Sequence, residues 1–265
     1  MKKIIFIVYF TFFCLATNAQ NEPNIDTAKT VQILLLKIKS NTISDDERKE
    51  LKSIAFSLQN YGQVLDEYKH DYTGSLSFVN KAILIFSSLN DTLNEANNRK
   101  FKGYLLGRFG EFSNGKFEIE QAIKLFKSKS RYSGIAVSQF DLSRLYEFEN
   151  KIDSSMYYCN TSLSYWKIQE DTSRIFGIQN MLIHLFIKVK DLEKAKTLQT
   201  ESNNLSGNAK LNGQELIDFF FISEDLYKEL NDLKKSAQYQ RLYTNKVSEL
   251  KEQGVIVNSY YDNGQ

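Results

Sequence analysis

Few side chains in this sequence are suited to catalysis or metal binding. The two histidines, His70 and His184, fall in different segments, with no cysteine in a matching pattern. Cys159 is the single cysteine after residue 19, so it has no partner for a metal pair or a disulfide. Acidic pairs such as Asp45-Asp46 are typical of helix caps, and no nucleophile elbow, phosphate-binding loop or HExxH motif occurs. The sequence predicts no catalytic residue, no metal site and no cofactor.

Residues 1–19 have the layout of a secretory signal peptide. Lys2 and Lys3 form a basic start, residues 4–15 form an apolar run, and small residues end at Ala19. The run is short for a membrane span, although an uncleaved N-terminal anchor is the alternative. We expect cleavage after Ala19, a periplasmic or secreted bacterial protein, and no membrane insertion after cleavage.

Removal of the signal peptide leaves a chain without net charge. It takes away two lysines and no acidic residue, so 32 basic residues remain beside 32 acidic ones. The positive charge of the full sequence is therefore not the mark of a nucleic-acid-binding protein. We expect no nucleic-acid partner.

Small residues recur every forty positions in the sequence. One series is Ala82, Ala122, Ser162 and Ser202. A second small series lies seven positions earlier, at Ser75, Gly115, Ser155 and Ala195, and a large apolar series three positions before that, at Tyr72, Phe112, Ile152 and Leu192. A fifth unit has one extra residue, with Leu233, Ser236 and Tyr243. Because small residues let two helices cross closely, this period predicts stacked helix pairs.

The arrangement resembles the tetratricopeptide repeat (TPR). The third unit matches best, through Ser143, Tyr146, Asn150, Ile152, Ser155 and Ser162. The first and fifth units match weakly in their first helix, with Gln63/Asp66 and Glu224/Tyr227. HEAT and armadillo repeats are the alternative because their periods overlap forty residues, but the sites of the small residues favour the TPR.

The resemblance implies an all-α fold, a right-handed α-solenoid of about five TPR-like helix pairs with an N-terminal capping helix. Residues 20–43 would form a lead and the capping helix, residues 44–253 the solenoid, and residues 254–265 a loose tail. Cys159 falls on the inward face of a second helix, so we predict that it is buried. His70 falls at a turn, where we expect it to be solvated.

The resemblance also implies a binding surface on the first helix of each pair, which lines the concave face in TPR proteins. Carried over by position, the candidate contact residues are Tyr61, Tyr68, Asn97, Lys100, Phe101, Tyr104, Arg108, Phe140, Arg144, Phe148, Met181, His184 and Lys188. Aromatic residues interleaved with cations suit peptide recognition. We expect about half of these aromatic side chains to pack between helices instead.

We therefore predict a non-enzymatic scaffold that binds a protein or a peptide in its groove. The alternative is a sensor or regulatory component of a bacterial signalling system, because periplasmic sensor regions of histidine kinases resemble this chain in their long TPR units. Residues 251–265 contain no apolar span, so this role requires a separate kinase or a truncated gene. Self-association of the repeats is a third option.

Overall fold

The computed structural model describes residues 25–67, 69–207, 211, 213–255 and 257. The predicted signal peptide and Tyr68 lie outside these ranges. Eleven α-helices make up most of the described residues, which include no strand. They are α1 (Ile25–Lys39), α2 (Asp45–Glu67), α3 (Tyr72–Ser88), α4 (Thr92–Arg108), α5 (Phe112–Ser128), α6 (Tyr132–Phe148), α7 (Ile152–Ile168), α8 (Thr172–Lys188), α9 (Leu192–Leu205), α10 (Gly213–Glu229) and α11 (Leu233–Glu252). None of these helices is long and apolar enough to cross a membrane.

The helices form two compact units, which divide between Ser138 and Gln139 inside α6. In the first unit α2 packs on α3 and α4 packs on α5, while α1 contacts both α2 and α3. In the second unit α8 packs on α9 and α10 packs on α11. The even-numbered helices from α2 to α10 are therefore the first helices of five consecutive pairs. This order confirms the predicted all-α class, with α1 as the capping helix.

The forty-residue period of the sequence is twice a structural period of twenty. The six helices from α3 to α8 each contain 17 residues, and three-residue turns join them. The middle residue of each following turn has a positive φ: Asn90, Gly110, Ser130, Asn150, Glu170 and Lys190. After α3, the Asn90 N–H donates to the Ser87 carbonyl at 3.0 Å and the Asp91 N–H to the Phe86 carbonyl at 2.8 Å. This pair of hydrogen bonds is a Schellman helix end, which explains how so short a turn ends each helix.

The small residues of the repeat lie where two helices cross. Side chains without exposed surface are Ser75, Ala82, Ala122, Ser155, Ser162, Ala195 and Ser202. A Cβ atom added to Gly103 would lie 2.5 Å from the Gly115 carbonyl oxygen, so α4 and α5 approach too closely for any larger residue. The predicted role of the small series is confirmed.

The first helix pair departs from the predicted register by one residue. A Cβ added to Gly62 would lie 3.3 Å from the Ser75 carbonyl oxygen, so Gly62 takes the place that Gly103 has in the next pair. The connection from α2 to α3 is one residue longer than the turns that follow it. The sites predicted at Gln63 and Asp66 are therefore wrong by one position in α2.

Candidate functional site

Five predicted contact residues follow one face of α4, and we call them the α4 stripe: Asn97, Lys100, Phe101, Tyr104 and Arg108. Apart from the adjacent pair Lys100 and Phe101, they follow one another at three or four residues, which places them on one side of the helix. Asn97 is exposed, and the next three are half-buried. Phe101 also packs against the buried cluster of α3 and α4, so its ring is only partly available to a ligand. The first unit thus keeps a polar and aromatic strip at its surface.

Arg108 ends the stripe and is held by its neighbours. Its Nη1 donates to Asp66 Oδ1 at 2.7 Å, and its Nη2 donates to the Tyr72 hydroxyl. The guanidinium carbon lies 4.5 Å from the Tyr72 ring centroid and 5.8 Å from that of Tyr104. Burial raises the pKa of the Asp66 carboxyl, and the nearby positive charges of Arg108 and His70 only oppose that rise. Arg108 is thus fixed beside Tyr104, while its side chain remains 30% exposed.

The corresponding face of α8, eighty positions later, is largely filled. Met181 has no exposed surface, so the prediction that it contacts a ligand is wrong. Its neighbour Asn180 is 2% exposed and donates from Nδ2 to the Glu215 carbonyl of α10 at 3.1 Å. Packing of α8 against α10 explains this burial.

His184 and Lys188, the other two predicted contacts on α8, both reach Glu147 of α6. His184 Nε2 lies 3.4 Å from Glu147 Oε1, and Lys188 Nζ donates to the same oxygen. Burial raises the pKa of Glu147, but the hydrogen bonds and charges of the two partners outweigh it and lower the pKa to about 2. A ligand at these cations would have to compete with a carboxylate of the chain itself.

Tyr61 is a core residue, so the prediction that it contacts a ligand is wrong. It is 6% exposed, and its ring meets the Phe78 ring edge-on with centroids 4.8 Å apart. The extra residue after α2 explains the error, because it places Asn60 where Phe101 stands in α4 and turns Tyr61 inward. In α6 the predicted contacts Phe140, Arg144 and Phe148 are all half-buried.

Cys159 is buried, as predicted. It has no exposed surface, and its Sγ donates to Ser143 Oγ at 3.2 Å. Burial raises the pKa of the thiol to about 12, so the reactive thiolate is scarce at neutral pH. His70 is exposed at a turn, as expected. Among the described residues no group of three or more His, Cys, Asp or Glu side chains could hold a metal ion.

Two buried carboxylates, Asp66 and Glu147, were not among the predicted site residues. Each lies on a first helix and binds a cation of the next first helix, Arg108 and Lys188 respectively. The only signal in the sequence is an acidic residue 41 or 42 positions before a basic one. This spacing identifies an ion pair only when the alignment of successive first helices is known.

No family model matches the sequence, and no curated protein matches it. Solved structures do match its fold. BtubC (BKLC) from P. vanneervenii has a TM-score of 0.64 at 13% identity, over 89% of this chain and 95% of that chain. A Podosopora anserina putative kinesin light chain with nearly identical TPR-like repeats has a TM-score of 0.58 at 10% identity, over 78% of this chain and 98% of that chain.

A third similar structure contains a bound factor. It is a Rap protein complexed with Competence and Sporulation Factor, with a TM-score of 0.55 at 13% identity, over 84% of this chain and 72% of that chain. At these identities the likeness concerns the fold. The chain has the helix-pair fold of TPR-like repeat proteins.

Proposed function

We propose that this chain is a non-enzymatic scaffold that binds a protein or a peptide along the α4 stripe. The observation that carries the proposal is the partial exposure of Asn97, Lys100 and Tyr104 on a first helix of a TPR-like pair. Their amide, ammonium and phenol groups suit the backbone and carboxylate groups of an extended peptide. The Rap protein with its bound factor supports the proposal, because the same fold there holds a partner.

Arg108 prepares the stripe for binding. The Asp66 carboxylate and the Tyr72 hydroxyl hold the guanidinium, so little side-chain entropy is lost there when a ligand arrives. The neighbouring Tyr104 ring, 5.8 Å from the guanidinium carbon, is packed on one side by this cation. We therefore assign Tyr104 as the central contact and Arg108 as the residue that positions it.

Binding is tested with the processed chain, first by crosslinking and pull-down and then by affinity measurement with the captured partner. Tyr104→Ala should weaken binding by about ten-fold or more, as truncation of a hot-spot tyrosine does. Tyr157→Ala is the matched control. Tyr157 is a 66% exposed tyrosine on α7, which is the second helix of its pair and carries none of the predicted contacts. If Tyr157→Ala abolishes binding while Tyr104→Ala retains wild-type affinity, the α4 stripe is not the binding surface.

We propose that the scaffold acts outside the cytoplasm, after cleavage of the signal peptide at Ala19. The basic, apolar and small-residue order of residues 1–19 supports this location. Intact-mass measurement of the periplasmic fraction should find a chain that begins at Gln20, whereas an unprocessed chain in the membrane would contradict it. The identity of the captured partner also tests the sensor alternative, which requires a histidine kinase.

A further inference from the structure

A cleft of about 560 Å³ opens at one edge of the first unit. The first turns of α2, the turn from α3 to α4, and Lys129 just after α5 line it. None of the residues predicted to contact a ligand is among its lining residues. The cleft is therefore a different surface from the α4 stripe.

Positive charge dominates the lining of the cleft. Its cationic residues are Arg48, Lys49, Lys52 and Lys129. Its one carboxylate, Asp91, already accepts hydrogen bonds from the Asn94 N–H at 3.4 Å and from Asn94 Nδ2 at 2.9 Å, and it pairs with Lys52 Nζ at 2.7 Å. Burial raises the pKa of Asp91, but these donors outweigh burial and lower it. Asp91 thus caps α4 and neutralises Lys52. The other three cations of the lining have no carboxylate within the cleft.

Arg48 is the unusual member of this group. It is half-buried, yet its guanidinium makes no hydrogen bond and no ion pair within the described ranges. Lys129 likewise has no ion-pair partner among the described residues. Lys49 pairs with Asp46 at 2.9 Å, but both side chains are more than three-quarters exposed, so water screens that pair. A partly desolvated cation without a counter-charge is unfavourable, and an anion in the cleft would offset that cost.

The first turn of α4 also borders the cleft. Thr92 and Leu93 also line the cleft, at the end of the helix where backbone N–H groups lack partners within the helix. The cations thus come from two separate segments, the start of α2 and the residue after α5, and line the cleft together with the start of α4. An extended ligand with several charges matches this layout better than a single small ion.

We propose that the cleft binds an acidic peptide segment of a partner protein, one that carries several consecutive Asp or Glu residues. Carboxylates would pair with Arg48 and Lys129, which line the same cleft. The charge is local, since the chain after residue 19 has equal numbers of basic and acidic residues. A nucleic acid or an anionic membrane would require a broader basic surface. The proposal does not depend on binding at the α4 stripe.

The test uses the full processed chain and a fluorescein-labelled hexaglutamate peptide, with binding measured by anisotropy. The Arg48→Gln, Lys129→Gln double variant should bind about ten-fold more weakly, equal to about 1.4 kcal/mol. Lys167→Gln is the matched control, because Lys167 is an exposed lysine on α7 in the second unit, and its affinity should stay within about two-fold of wild type. Added salt should weaken wild-type binding, since the contacts are partly exposed.

Any one of the following outcomes would overturn the proposal. Hexaglutamate does not bind the wild type, or hexalysine binds as well as hexaglutamate, or the control variant loses as much affinity as the double variant. Inorganic pyrophosphate serves as a competitor that separates a compact anion from a peptide. If pyrophosphate binds more tightly than hexaglutamate, the cleft takes a compact anion and the peptide assignment is wrong. The double variant should melt no lower than wild type, because neither Arg48 nor Lys129 has an ion-pair partner to lose among the described residues.

Discussion

Helices α4 and α8 hold the same position in their pairs, and their equivalent residues lie eighty positions apart, yet they bury those residues differently. Lys100 and Phe101 are half-buried on α4. Their equivalents Asn180 and Met181 are 2% and 0% exposed on α8. A side chain at a predicted contact position of a first helix is therefore not always exposed. On α8 the packing of α10 fills these positions.

A second comparison concerns the ion pairs between successive first helices. Asp66 with Arg108 and Glu147 with Lys188 join corresponding positions, but the pKa of the carboxyl is raised at Asp66 and lowered at Glu147. Burial is the largest influence at both. Glu147 has two partners in hydrogen-bonding reach, His184 and Lys188, and together they outweigh it. The same pair thus supports the fold differently in the two units.

The contrast between α4 and α8 predicts the largest effect for Met181→Ala. Truncation of a fully buried methionine leaves a cavity, so we expect the free energy of unfolding to fall by about 3 kcal/mol. Phe101→Ala should cost clearly less despite the larger side chain, because the Phe101 ring is only half-buried. Chemical denaturation followed by circular dichroism measures both. A larger loss for Phe101→Ala would show that α4 is the more tightly packed helix.

Two glycines provide a second test of the difference in packing between α4 and α8. A Cβ at Gly103 of α4 would meet the Gly115 carbonyl oxygen at 2.5 Å, so Gly103→Ala should cost about 2 kcal/mol through overpacking. A Cβ at Gly177 of α8 would meet nothing within 4 Å. Gly177→Ala should therefore raise stability by up to about 1 kcal/mol, since alanine favours a helix over glycine. Melting temperatures of both variants check the opposite signs, and equal shifts would remove the basis for the repeat register.

The two ion pairs predict different responses to acid. The pKa of Glu147 falls from 4.5 to about 2 on folding, so its contribution is present above about pH 5 and is lost as the pH falls toward 2. We expect about 2 kcal/mol of stability from this carboxylate, after allowance for solvent screening. Glu147→Gln should lose stability at pH 6 and show a flatter decline toward pH 3 when unfolding is followed at several pH values.

Asp66→Asn is the control for this pH series. Because the pKa of Asp66 is raised in the fold, protonation of that group favours the folded state as the pH falls, which is the reverse of Glu147. The Asp66→Asn variant should therefore keep the steep acid decline of the wild type. If Asp66→Asn flattens the decline and Glu147→Gln does not, the roles of the two pairs are exchanged.

The smallest expected effects lie at the turns. Gly110 after α4 and Glu170 after α7 are both left-handed, with φ of 80° and 53°. A residue with a Cβ is strained in this conformation, so Glu170→Gly should stabilise the protein by about 1 kcal/mol. Gly110→Ala should destabilise it by a similar amount, because no atom crowds that Cβ and only the backbone conformation opposes it. A lower melting temperature for Glu170→Gly would contradict this account of the turns.

The helix pairs could be predicted from the sequence with little error. The Asn, Gly and Asp residues at the turns and the small residues at the crossings act locally, since a cap or a left-handed turn depends on a few neighbouring residues. The candidate contact residues were predicted less well. Tyr61 and Met181 are core residues, because a one-residue insertion after α2 and the packing of α10 on α8 have no local signature.

The sequence by itself determined that the chain forms helix pairs, which residues let them cross closely, and that Cys159 is buried. These features follow from short-range hydrogen bonding and from the periodic placement of apolar and small residues. Only the tertiary structure decided which first-helix side chains stay accessible, how Asp66 and Glu147 engage Arg108 and Lys188, and that Arg48 and Lys129 line one cleft. Each of these joins residues about forty or more positions apart, so each depends on the exact register between helices, which a single residue in a turn can change.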